Sequence, residues 1–244
     1  MISRAILRRP GPDFAEGITT GALGTPDYAR MLAQHAAYAD ALRSLGLAVE
    51  VLDALPGFPD AYFIEDVAVV VPELAVIARP GAPSRLGEEE GIDEVLAWRR
   101  EIARIAAPAT LDGGDVLVAD GHVFVGLSGR TNRDGAEQLA RRLTPHGYRV
   151  TTVPVSSGLH LKSGVSWLGA RTVLVTERLA RYFYEYRCIV AEEAACNTVL
   201  VNDTLIVPSG FSGVVAQTGL RVVELDVSEP RKMDGGLSCL SLRF

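Results

Sequence analysis

The chain has 244 residues, 48% of them hydrophobic, which is enough to bury a substantial core and fold unaided. A formal net charge of −6 and an isoelectric point near 5.3 argue against the basic footprint that nucleic acid or an anionic membrane surface requires, and leave room for a small cationic ligand. Three cysteines, Cys188, Cys196 and Cys239, match neither a disulfide framework nor a zinc knuckle and fit a reducing compartment; the longest apolar stretch, 67–71, cannot span a bilayer, so a cytoplasmic, uninserted chain is expected.

In chain order, residues 3–8 read as a short strand, followed by a loop at 10–24 that holds four glycines and has the character of a lid. Thr25 is expected to cap a helix with Pro26 at its first position and Gly46 past its end. Met31, Leu32, His35, Tyr38, Leu42 and Leu45 share one stripe of that helix, which makes His35 a core or boundary residue. A strand at 47–53 follows.

From there a unit of strand, tight turn, strand, helix, strand recurs. The first copy has strands near 62–71 and 74–79 and a helix near 87–103. The second has strands near 115–119 and 122–127 joined by Asp120-Gly121, a favoured hairpin dipeptide, then a helix at 133–144 and a strand at 148–153. A third copy has its turn at Gly169-Ala170, a strand at 171–176, a helix at 177–186 and a strand at 188–192. The fourth turns at Asn202-Asp203, with a small helix at 211–217 and a strand at 220–226. The turns near 73, 121, 170 and 203 fall 48, 49 and 33 residues apart, the signature of an internal structural repeat. A fifth unit is complete only if a C-terminal strand at 237–243 joins the N-terminal elements. The expected architecture is therefore α/β, a five-bladed ββαβ propeller closed by the N- and C-terminal strands, in one domain of residues 1–244.

The openings of the first strands are chemically unusual. They carry Glu65 and Asp66 in FIEDVAVV, Asp112 and Asp115 in LDGGDVL, His160 in LHLKSG, and Cys239 in the alternating run LSCLSLRF, where it should stand at the mouth of a strand rather than on a helix. Taken singly, each has a bland explanation: a small buried thiol, a core histidine, a turn aspartate before two glycines. Two adjacent acids opening an apolar strand are harder to explain that way and call for a cation. Together, a thiol, an imidazole and a carboxylate from separate blades suit nucleophilic catalysis. Arg85 and Arg130 are the arginines that would grip a ligand carboxylate, so the expected ligand is a zwitterion bearing a guanidinium. Lys162, two residues beyond His160, either perturbs the imidazole or is simply solvated.

In order along the chain, FIEDVAVV, IARPGAPSR, LDGGDVL, FVGLSGRTN, GLHLKS and DGGLSC resemble the motifs of the dimethylarginine dimethylaminohydrolase family, in the pentein superfamily of guanidino-group-modifying proteins. The resemblance covers nearly the whole chain. It implies that Cys239 is the nucleophile, His160 the general acid and base, and Asp112 the carboxylate that orients it. It further implies that Asp66 and Asp112 bind the guanidinium with Glu65 alongside, that Asp60 meets the substrate amino end, and that Arg85 and Arg130 hold its carboxylate. Residues 14–24 become the lid, with the backbone carbonyl of Ile18 on the ligand, and Leu240 stands where some members carry a second cysteine. The implied reaction turns Nω-methylated arginine into citrulline without cofactor or metal. The implied partner is a small-molecule substrate, with no nucleic acid, no membrane and a homodimer left open. Arginine deiminases, agmatine deiminases and a non-catalytic propeller binding protein are the alternatives, and a cysteine peptidase is a distant one.

Overall fold

The computed structural model describes residues 1–98 and 100–244. Strands β1 (Arg4–Arg8) and β2 (Ala48–Leu52) pair in parallel across helix α1 (Tyr28–Ser44). Strands β3 (Ala68–Val70), β4 (Leu74–Ile77) and β5 (Glu101–Arg104) form the next sheet, with the short helix α2 (Ile92–Ala97) before β5. Then come β6 (Val116–Ala119), β7 (His122–Leu127) and β8 (Arg149–Pro154) with α3 (Arg133–Leu143), and β9 (Val165–Trp167), β10 (Thr172–Val175) and β11 (Arg187–Val190). The last strands are β12 (Val199–Val201), β13 (Thr204–Pro208) and β14 (Arg221–Leu225), followed by β15 (Leu242–Arg243), which runs antiparallel to β1. Each of the five sheets therefore has three strands, an antiparallel pair followed by a parallel one, as the repeat predicts.

Backbone contacts divide the chain into two compact units, one of Met1–Ile64 with Ser163–Arg243 and one of Glu65–Lys162 with Phe244. In the first, α1 buries Met31, His35, Tyr38 and Leu42 against Leu7, Phe14 and Leu240 in one apolar core; a fully buried side chain of this size contributes about 1.5–3 kcal/mol. In the second, Val76, Val123, Val125, Leu139 and Leu143 fill a separate core. No helix among the described residues is long and apolar enough to cross a membrane.

Several local expectations are corrected. Helix α1 is capped by Asp27, whose carboxylate accepts the Arg30 N–H at 2.7 Å, and not by Thr25; an aspartate reaches the orphan amides of the first turn with charge as well as geometry. The helix read over 87–103 has only its central turns, because Gly91 takes φ +75° at its start and β5 claims its end. The helix at 177–186 likewise shortens to Glu177–Ala180. Most important, four of the five blades do not open as strands, the exception being β12. Ile64–Val67, Gly113–Asp115, Leu161–Ser163 and Ser238–Leu240 are 3-10 turns. Cys239 therefore lies on such a turn just before β15, not on a strand, and Glu65 and Asp66 likewise leave the strand that follows them. A tight turn packs i and i+3 side chains on one edge, which suits a polar opening, whereas a strand would send alternate acids into the sheet face.

Candidate active site

In the Glu65–Lys162 unit, the turns Ile64–Val67 and Gly113–Asp115 lie against one another so closely that Gly113 and Gly114 have no room for a side chain. A Cβ on Gly113 would sit 2.0 Å from the Glu65 carbonyl oxygen, and one on Gly114 would sit 2.7 Å from both Asp66 Oδ1 and His160 Nδ1. The double glycine thus lets the Gly114 N–H donate to Asp66 Oδ1 at 2.8 Å. His160 Nε2 lies 3.0 Å from Asp112 Oδ2, and its Nδ1 4.0 Å from Asp66 Oδ1. Asp112 also accepts the Gly81 N–H at 2.8 Å, while its own N–H donates to Thr131 Oγ1. The structure thus brings together Asp66, Asp112 and His160, all buried.

Charge follows from that geometry. Burial works against an imidazolium at His160, but the Asp66 charge, the Asp112 hydrogen bond and the Asp115 charge outweigh it and hold its pKa up at about 9. Burial also works against the Asp66 carboxylate, yet His160 and Arg85 hold that carboxyl down at about 2. At neutral pH His160 is thereby held as the imidazolium beside an ionised Asp66. Asp66, Asp112 and His160 also place one ligand atom each within 4.8 Å of the others, but an imidazole held protonated has no free lone pair to give a metal ion.

Arg85 is buried, donating from Nη1 to Asp66 Oδ2 and from Nη2 to Glu88 Oε2, both at 2.7 Å. Glu88, buried at the head of an acidic run that reads as a solvated surface, was not legible as a site residue. Arg130 lies with Nη1 3.8 Å from Asp112 Oδ2, and that nitrogen is buried without a hydrogen-bond partner. Lys162, mostly buried, pairs with Glu65 at 2.8 Å. Asp115 is fully buried; burial pushes its carboxyl pKa up, against the pull of His160, Ser128, Thr131 and the Leu161 amide.

The other unit holds Cys239, Asp60 and Ile18. Cys239 is half-buried against the α1 core, on a turn fixed from both ends. Ser238 N–H donates to Asn197 Oδ1 at 2.8 Å, and Arg243 Nη1 donates to the carbonyls of Ser238 and Ser241, both at 3.1 Å. Ahead of it, Asp234 takes φ +58° and a Cβ on Gly235 would sit 2.1 Å from the Phe63 ring, so the backbone there lies too close to that ring for any side chain. Asp60, buried, accepts the Ile18 N–H at 3.2 and 3.0 Å through its two oxygens. Next to Ile18, Thr19 Oγ1 donates to the Lys232 carbonyl at 2.8 Å, and Thr20 donates to Asp234 from its N–H (2.5 Å) and hydroxyl (2.9 Å). The 14–24 loop is thereby tied to the segment that carries the thiol.

Residues 26–201 match the family model described as N,N dimethylarginine dimethylhydrolase, eukaryotic. The chain is 38% identical to the N(G),N(G)-dimethylarginine dimethylaminohydrolase of Pseudomonas aeruginosa, over all of both chains, and 36% identical to that of Streptomyces coelicolor, over 99% of this chain and 96% of the other. A cysteine-to-serine mutant of the P. aeruginosa protein, complexed with citrulline, superposes with a TM-score of 0.96 at 37% identity over both complete chains. The N-terminal domain of a cyanobacterial arginine dihydrolase superposes at 0.89 with 20% identity, a likeness of fold alone. The fold is the pentein fold, and the chain belongs to the dimethylarginine dimethylaminohydrolase family.

Proposed function

We propose that this protein hydrolyses Nω-methylated arginines, asymmetric dimethylarginine and monomethylarginine, to citrulline and dimethylamine or methylamine. The observation that carries this reading is the buried pair of carboxylates, Asp66 and Asp112, around a protonated His160 in a member of this family. Two acids with an imidazole between them suit a planar guanidinium and supply the proton its departing amine needs. The citrulline bound to the P. aeruginosa relative supports the same product here.

We assign Cys239 as the nucleophile, and no metal or organic cofactor to the reaction. Its thiolate bonds to the guanidinium carbon, and His160 gives its proton to the methylated nitrogen. The carbon–nitrogen bond then breaks to release the amine, leaving a thiouronium on Cys239. Water adds to that carbon, giving one proton to His160 and, as the tetrahedral adduct collapses, a second to bulk water, and the carbon–sulfur bond breaks to give citrulline and free thiolate. Asp112 holds the imidazole by the 3.0 Å contact, while Asp66 and Glu65 balance the substrate cation. Arg130, with an unsatisfied buried donor, is the cation for the substrate carboxylate, and Arg85 adds positive charge while fixing Asp66. Asp60 takes the substrate amino end, with Ile18 beside it in the loop.

Formation of the ureido product tests this, as citrulline from asymmetric dimethylarginine or arginine and as N-carbamoylputrescine from agmatine, with Cys239→Ser as control. Release from the dimethylated substrate that disappears in the variant is expected. Turnover of arginine or agmatine alone replaces the substrate, and release from none by folded protein removes the activity.

A further inference from the structure

The second aspartate of LDGGDVL belongs to no part of the reaction above, yet it is as deeply buried as Asp112. A buried carboxylate must be hydrogen-bonded to persist, and where its bonds go identifies its task. Asp115 Oδ1 accepts the N–H of Leu161, the residue after His160, at 2.9 Å. Asp115 Oδ2 accepts the Ser128 hydroxyl at 2.6 Å. Ser128 Oγ in turn accepts the N–H of Arg130 at 2.9 Å and of Thr131 at 3.2 Å, which closes the SGRT loop on itself. Thr131 Oγ1 then accepts the Asp112 N–H at 3.1 Å. One side chain is thus joined, in at most three hydrogen bonds, to the backbone beside His160, beside Arg130 and at Asp112.

We propose that Asp115 is a positioning residue that sets the His160 ring and the Arg130 loop in a common frame, so that the imidazole and the carboxylate-binding arginine are placed by one buried anion. This rests on the function proposed above for what each placed group does. The frame has a mechanical and an electrostatic part. The Leu161 amide fixes where the backbone carries the imidazole. The charge acts on that imidazole with the two other carboxylates facing it, Asp66 and Asp112, while Arg85 and Arg130 face those carboxylates from the 3-10 turn at Pro83–Arg85 and from the SGRT loop. Ser128 is the separable joint: its hydroxyl joins the carboxylate to the Arg130 N–H, while Thr131 reaches the same carboxylate through its own side chain.

Two variants separate these parts. Asp115→Asn keeps an acceptor for the Leu161 amide and removes the charge. The His160 imidazole titration, followed by NMR on the folded, substrate-free protein, is expected to move down by about one pH unit, and the alkaline limb of kcat/KM with it. Ser128→Ala keeps the charge and removes the hydroxyl that joins it to the Arg130 amide, so KM for asymmetric dimethylarginine should rise about tenfold with kcat held within about twofold, and the His160 titration should stay in place. An unmoved His160 titration in Asp115→Asn overturns the electrostatic part. Unchanged KM in Ser128→Ala, or an equal loss of kcat and kcat/KM, overturns the mechanical part. If Asp115→Asn does not fold, the Ser128→Ala split decides. If wild-type protein releases no citrulline, the assigned reaction falls, and the imidazole titration still judges the role of Asp115.

Discussion

Arg85 and Asp66 form an ion pair of 2.7 Å in which the two side chains are only 4% and 5% exposed. Neither charge has water to fall back on, and Glu88 depends on the same guanidinium. Replacing the pair by apolar groups of equal shape can be neutral, but removing one partner strands the others. Arg85→Met should therefore lower unfolding free energy by about 3–5 kcal/mol in urea titration. Arg85→Lys should recover only part of this, since an ammonium cannot reproduce the fork that spans Asp66 and Glu88. A Met variant with the wild-type midpoint would show that the pair is not what holds these acids.

Asp112→Asn retains the shape of the contact with His160 and loses its charge. A neutral amide neither stabilises an imidazolium nor enforces which ring nitrogen carries the proton. The expected outcome is a fall in kcat of about 10²–10⁴-fold with KM changed far less, read as citrulline release against substrate concentration. A loss under about threefold would remove Asp112 from the role assigned to it.

Gly114 is a second handle on the same cluster. Gly114→Ala must displace Asp66 or His160, each 2.7 Å from the new methyl carbon. Activity should drop at least tenfold even where the melting temperature moves by only a few degrees. Full activity in this variant would mean that the two turns can separate freely, contrary to their contact.

Thr20 and Asp234 tie the 14–24 loop to the turn ahead of Cys239 by two hydrogen bonds. Asp234→Ala leaves Ile18 on Asp60 and frees the tip, so amide exchange should quicken at residues 19–22 and proteolytic nicking there should increase, while exchange in α1 stays slow. Exchange that is unaltered at 19–22 would locate the restraint on the loop elsewhere.

Two histidines should shape the pH dependence of stability with opposite sign. Burial in α1 holds His35 down at about 4 against an ordinary value near 6.5; its folded form is neutral, so stability is lost as pH falls from about 6.5 to 4, on the order of 3 kcal/mol in all. His160 is held up at about 9; its contribution is complete below about 6.5 and is lost as pH rises through 9. Melting temperature should peak near pH 6.5 on these two accounts. His35→Leu should flatten the acid limb and His160→Gln the alkaline one, whatever each does to stability at the peak.

Much of this was legible in the residues. Turn dipeptides such as Asp120-Gly121 and Asn202-Asp203 mark the repeats because few residues tolerate positive φ, and Asp120 and Asn202 do adopt it. The five sheets and the sharing of one of them by the terminal strands follow from that count. Asp66 stood out because two adjacent acids opening an apolar run have no cheap structural use, and Asp112 and His160 stood out only as members of the same set of openings. Hidden from the sequence were the 3-10 turns, since a three-residue tightening leaves no period to read. Also hidden were Glu88, which looks like surface until Arg85 is seen to be buried, and the clash that forces Gly114. Composition and spacing determined which residues carry charge and roughly where each blade turns, because those are local properties of the chain. Only the tertiary structure decided which charges share a buried partner, because desolvation and pairing at 3 Å depend on segments about 50 residues apart in sequence, such as Asp66, Asp112 and His160.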